Sequence, residues 1–227
     1  MLFGLKYAIF IAYLSTLNLN SMKFKLEYSP LVIIGFWNKA ILSPNWVSRY
    51  IFPKKEIHVE FPINNSNASL KFNVDGISLN VIDQRLLFSI KEPSDQSFEL
   101  IGTTAMSLCR SLPHTPVSSF GINHIFESGI EEIRDGNLFD LVDRSLVDDG
   151  GYDVQCIKIG RTIKFADCIL NLSLSKKETT IVYDFNYHYD ISSIEEFIQK
   201  FDPQNILHKK EDAIKFLDEI YGIKFVV

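Results

Sequence analysis

The sequence predicts an α+β fold: an antiparallel, aromatic-rich sheet with helices packed on one face. Three observations predict it. Four apolar-alternating runs follow one another between residues 56 and 90, the signature of a meander. A helical spacing of apolar residues then holds from 94 to 112, and alternating runs resume after it. Phe is abundant, at 18 of 227 residues, which makes the expected core aromatic.

The elements follow in order. Residues 23–28 alternate like a first strand, and 31–37 form a continuous apolar run suited to a buried one. Ser43-Pro44 reads as a helix start, with Ser at the N-cap and Pro at the first helical position. The meander runs through Ile57, Val59 and Phe61; Leu70, Phe72 and Val74; Ile77, Leu79 and Val81; and Leu86, Phe88 and Ile90. Asp75-Gly76 is its strongest hairpin signal, and Asp83-Gln84 marks a second turn. Ser94 opens the helix and Pro113 ends it. A strand is expected over 117–127, an acidic and poorly periodic stretch over 131–151, and strands over 152–159, 162–175 and 179–190, with turns at Gly160-Arg161 and at Lys176-Lys177-Glu178. Ser192 and Glu195 have capping-box spacing for a helix before Pro203. A last amphipathic helix carries Ile206, Ala213, Leu217, Ile220 and Tyr221 and stops at Gly222.

Composition bounds the function. A net charge of −5, without a run of basic residues longer than a pair, argues against duplex nucleic acid as a partner. Cys109, Cys156 and Cys168 are odd in number, widely spaced and set in apolar segments, so buried free thiols in a reducing cytoplasm are expected. On that reading the sequons at Asn64, Asn67 and Asn171 carry no weight. Residues 1–21 form an apolar leader. Residues 3–17 of it are either an export or anchoring segment or the product of an upstream start, with the folded domain beginning at Met22. Residues 22–227 are read as one domain. The echo between 124–133 and 188–197 supports an alternative division into two weakly related lobes, 22–130 and 151–227.

Standard motifs for nucleotide cofactors, zinc proteases and α/β-hydrolases are absent, and no cofactor or metal is expected. The acidic stretch 140–153 lacks EF-hand spacing. Asp184, Asn186 and His188 share one face of the 181–190 strand, opposite Tyr183, Phe185 and Tyr187. They form either a site or a solvated surface. His124 lies on the apolar face of its strand, where a core histidine bonded to a backbone carbonyl is the expectation; Asn123 and Gly121 fall on the other face. The rigid Pro113-His114-Thr115-Pro116 link presents His114 and Thr115. Phe36, Trp37, Asn38 and Trp46 form a candidate aromatic binding patch. Catalytic candidates are therefore His114, Asp184 and His188. Binding candidates are Thr115, Asn123, Asn186, Trp37 and Asn38.

Three segments carry a resemblance. They are residues 28–46, ending in Gly35-Phe36-Trp37-Asn38-Lys39-Ala40-Ile41-Leu42-Ser43-Pro44-Asn45-Trp46; Leu112-Pro113-His114-Thr115-Pro116-Val117 with Gly121-Ile122-Asn123; and Asn171-Leu172-Ser173-Leu174 with Asp184-Phe185-Asn186-Tyr187-His188. Together they resemble a group of uncharacterised bacterial proteins of about this size. The resemblance implies no activity and carries over no catalytic residue. The expected function is a non-enzymatic binding or assembly module acting through a protein partner or self-association. The alternatives are a hydrolase with a His/Asp/Asn site on the sheet, drawn from His114, Asn123, Asp184, Asn186 and His188, and an exported or membrane-anchored protein.

Overall fold

A computed structural model describes residues 22–61, 70–132, 136–139, 147 and 149–225. The leader, the sequons at Asn64 and Asn67 and most of the acidic stretch lie outside the described residues.

Alternating side chains build ten strands: β1 (Lys23–Phe24), β2 (Tyr28–Gly35), β3 (His58–Glu60), β4 (Lys71–Val74), β5 (Ile77–Ile82), β6 (Arg85–Ile90), β7 (Val117–Gly129), β8 (Ile157–Lys164), β9 (Ile169–Lys177) and β10 (Thr180–Asp190). They form one antiparallel sheet in the order β3-β4-β5-β6-β2-β7-β10-β9-β8, with β1 added beside β7. Both halves of the chain thus share a single sheet, joined where β2 and β10 flank β7. The two histidines of the internal echo point to opposite faces of it: His124 is fully buried, whereas His188 is partly exposed.

The helices are α1 (Pro44–Tyr50), α2 (Asp95–Ser111), α3 (Ile194–Lys200) and α4 (Asn205–Phe216), the last continued by a π turn at Leu217–Tyr221. α2, α3 and α4 cover the same sheet face. Phe98 of α2 meets Phe24 and His124, Phe197 of α3 meets Phe120 edge-on, and Phe216 of α4 meets Phe185. Burial of each such ring contributes roughly 1.5–3 kcal/mol, and each ring pair about 0.5–1.5 kcal/mol more. Ser94 caps α2 through a reciprocal pairing with Ser97, and Gly222 ends the π turn at φ +70°.

Several boundaries differ from the sequence reading. Residues 152–156 are irregular, so Cys156 is exposed rather than buried. Gly160 and Arg161 lie inside β8, not in a turn; the chain reverses at residues 165–168, where Phe165 N–H donates to the Cys168 carbonyl at 2.9 Å. An edge strand tolerates a glycine because no side chain packs above it, and the position over Gly160 is open space. The reversal between β9 and β10 falls at Glu178, whose φ is +54°. The cap of α3 is shifted by one residue: Ser193 Oγ accepts from Glu196 N–H, and Glu196 Oε2 accepts from Ser192 N–H at 2.7 Å. Ile220 points outward, at 59% exposure.

Candidate functional site

The face without helices carries a belt of small polar side chains, one from each of nine strands. Thr162 of β8 stands opposite Asn171 of β9, Asn171 opposite Asn186 of β10, and Asn186 opposite Asn123 of β7. Their bonds run in one direction. Thr162 Oγ1 donates to Asn171 Oδ1 (3.3 Å), Asn171 Nδ2 to Asn186 Oδ1 (3.2 Å), Asn186 Nδ2 to Asn123 Oδ1 (2.6 Å), and Asn123 Nδ2 to the Ser29 carbonyl (2.9 Å).

A register shift in β2 between Tyr28 and Leu31 then carries the belt into the meander. Ser29 Oγ lies 2.7 Å from Ser89 Oγ, Ser89 is opposite Ser78, Ser78 opposite Asn73, and Asn73 opposite His58. At the spacing of neighbouring strands the belt spans roughly 38 Å. Over its β2–β4 half lies a groove of about 490 Å3, floored by Ser29, Ser78, Ser89, Asn73 and Asn80.

Asn171, Asn186 and Asn123 each spend one amide donor on the next strand and have another polar site left for the solvent side, while Asn73 donates to Glu60 Oε1 at 2.8 Å. Gly121 makes the central link possible. A Cβ there would lie 2.9 Å from Asn186 Nδ2. A strand with alternating polar residues reads as an ordinary wet face, so the belt became visible only with the register.

Sequence-predicted residues divide among different surroundings. Asn123 and Asn186 are bonded to each other within the belt. Asp184 lies on the same face, half-buried, and its carboxyl is raised by desolvation against the opposing pull of Lys158 and Lys25. His188 Nε2 lies 3.0 Å from Asp190 Oδ1, and Asp190 stands opposite Ser119 in register. His114 is exposed in the link between α2 and β7; the Glu195 carboxyl at the start of α3 is held low by its own backbone N–H and by Ser193, with a smaller pull from His114. The structure therefore brings Asn123, Asn186, Asp184 and His188 onto one face and sets His114 beside α3.

The Pro-rich link itself is tied down. Thr115 N–H donates to the Leu112 carbonyl, and the Pro116 carbonyl accepts from Phe36 N–H at 2.8 Å. A Cβ on Gly35 would sit 2.6 Å from that carbonyl oxygen, so the close approach requires glycine.

The aromatic patch separates into different roles. Trp37 is buried and donates Nε1–H to the Ile33 carbonyl at 3.1 Å. Asn38 Oδ1 accepts from Ala40 N–H in a local turn. Trp46 packs on Tyr50, and Phe36 stays exposed.

His124 is the core histidine expected. Its Nε2 lies 2.9 Å from the Ile206 carbonyl, which only accepts, so Nε2 carries the hydrogen and Nδ1 is left to accept from Tyr28 Oη at 3.4 Å. Desolvation lowers its pKa to about 3, and it is neutral at pH 7.

Among the described residues, no group of three or more His, Cys, Asp or Glu side chains is placed to hold a metal. No described helix is long and apolar enough to cross a membrane. In comparisons with known proteins, no family model, curated protein or solved structure matches the chain.

Proposed function

We propose that the protein is a non-enzymatic binding module that recognises a protein partner across the open face of its sheet. The belt from Thr162 to His58, with its groove over Ser29, Ser78 and Ser89, carries this reading. Neutral amides and hydroxyls in a row provide directional donors and acceptors at low desolvation cost, which suits reversible recognition. A hydrolytic site would need a base, a nucleophile and an oxyanion donor within reach of one point, and the His188–Asp190 contact supplies at most the base.

The three free thiols fit a cytoplasmic setting, and a bacterial source is what the resemblance implies. Affinity capture of the full chain followed by native mass measurement tests the reading. A complex of defined stoichiometry is expected; a monomer without any partner overturns it.

One observation favours a second reading. The His188–Asp190 pair has the contact that orients a general base. Ester or amide hydrolysis that disappears in His188→Gln would establish it. Identical rates for the variant and the parent chain would remove it.

A further inference from the structure

We propose that β8 is a docking edge for an acidic, extended segment of another protein, which adds to the sheet as a further strand. This goes beyond the open-face reading and does not depend on it.

The two ends of the sheet differ. β3 offers three residues, whereas β8 offers eight and pairs only with β9 among the described residues. An edge strand turns alternate N–H and C=O groups outward, a template for an incoming strand. Eight residues provide roughly 26 Å of such template.

Charge selects the occupant. Lys158, Arg161 and Lys164 lie in β8, and its sequence contains no acidic residue, although the whole chain has a net charge of −5. Lys158 shares the open face with Thr162, and Arg161 lies on the helix face, where it bonds the Tyr221 hydroxyl. Antiparallel pairing of β8 with a second copy about Arg161 would set Lys158 against Lys164 and Arg161 against itself, which disfavours self-association. A strand with acids at every third position meets all three cations.

Apolar side chains flank both ends of the edge. Tyr152 is 74% and Val154 49% exposed before it, and Phe165 is 42% exposed after it. Lysines on an edge also protect it from aggregation, and that role alone would leave acidic strands unbound.

The test uses the full chain and a fluorescent octapeptide with Asp at every third position and Thr or Val elsewhere, beside the same peptide with Lys for Asp. Anisotropy should show saturable binding of the acidic peptide alone, weakening with salt. The Lys158→Glu/Lys164→Glu variant, which by circular dichroism should fold as the parent does, should bind about tenfold or more weakly. Hydrogen exchange should show new protection of the outward-facing β8 amides on binding. Equal binding of both peptides, an unchanged affinity in the variant, or protection elsewhere overturns the proposal. So does a salt-resistant dimer of the parent chain, which would make a second copy the occupant. Outward-facing amides of β8, those not bonded to β9, already protected in the free chain overturn it as well, since the chain would then cover its own edge.

Discussion

Asn186 donates to Asn123 at 2.6 Å directly beside Gly121, and a Cβ at position 121 would lie 2.9 Å from the donating nitrogen. The glycine and the central link of the belt are thus one feature. Gly121→Val is expected to push the Asn186 amide away and cost about 1 kcal/mol for the lost bond, with any packing strain added. Urea unfolding measures the cost, and side-chain amide NMR follows Asn186 and Asn123. An unshifted pair of amide resonances would count against the coupling.

His124 ties β7 to α4 through the Ile206 carbonyl, and it stays neutral in the fold. Its pKa is about 3 when folded and 6.5 when free, so between these values the unfolded chain holds the extra proton. Stability from this residue is full above 6.5 and is lost as pH falls toward 3, at up to about 1.4 kcal/mol per pH unit. Between pH 6.5 and 4.5 the parent chain should lose roughly 2–3 kcal/mol more than His124→Gln, which does not titrate. Parallel urea midpoints for the two chains across that window would contradict this.

Asp184 behaves in the opposite sense. Burial raises its carboxyl, so the folded state holds the proton more tightly and stability from this group increases as pH falls. Asp184→Asn should raise the thermal midpoint at pH 7, with the gain shrinking in acid as the parent side chain becomes neutral. A lower midpoint at pH 7 would mean that the attraction of Lys158 and Lys25 outweighs desolvation.

At Gly35 the crowding atom is a backbone oxygen, which cannot turn aside. Gly35→Ala should displace the Pro116 carbonyl from Phe36 N–H and destabilise the fold by about 1–3 kcal/mol. Hydrogen exchange of the Phe36 amide, faster in the variant, is the local check.

Local patterns in the sequence reveal the meander, the Ser94 cap, the two faces of β10 and the buried setting of His124, because alternation and helical spacing act over a few residues. The belt was not legible in this way. Asn171, Asn186 and Asn123 come from three strands, and Ser29 reaches Ser89 only through the β2 irregularity, so register sets the neighbours. Of its members, the sequence marks only Asn123 and Asn186 as binding candidates, one on the same strand face as Gly121 and the other on a polar strand face. Gly160-Arg161 resembled a turn because composition does not reveal that a strand is an edge, where glycine loses no packing partner.

The most direct measurement is site-specific photo-crosslinking of the full chain in cell extract. A photoreactive side chain is placed at Ser78 or Asn186 on the open face, and at Glu99 on the exposed side of α2 as the control. The belt reading predicts one discrete protein product from the open-face positions and none from Glu99. No product from Ser78 or Asn186, or the same product from all of them, would contradict it.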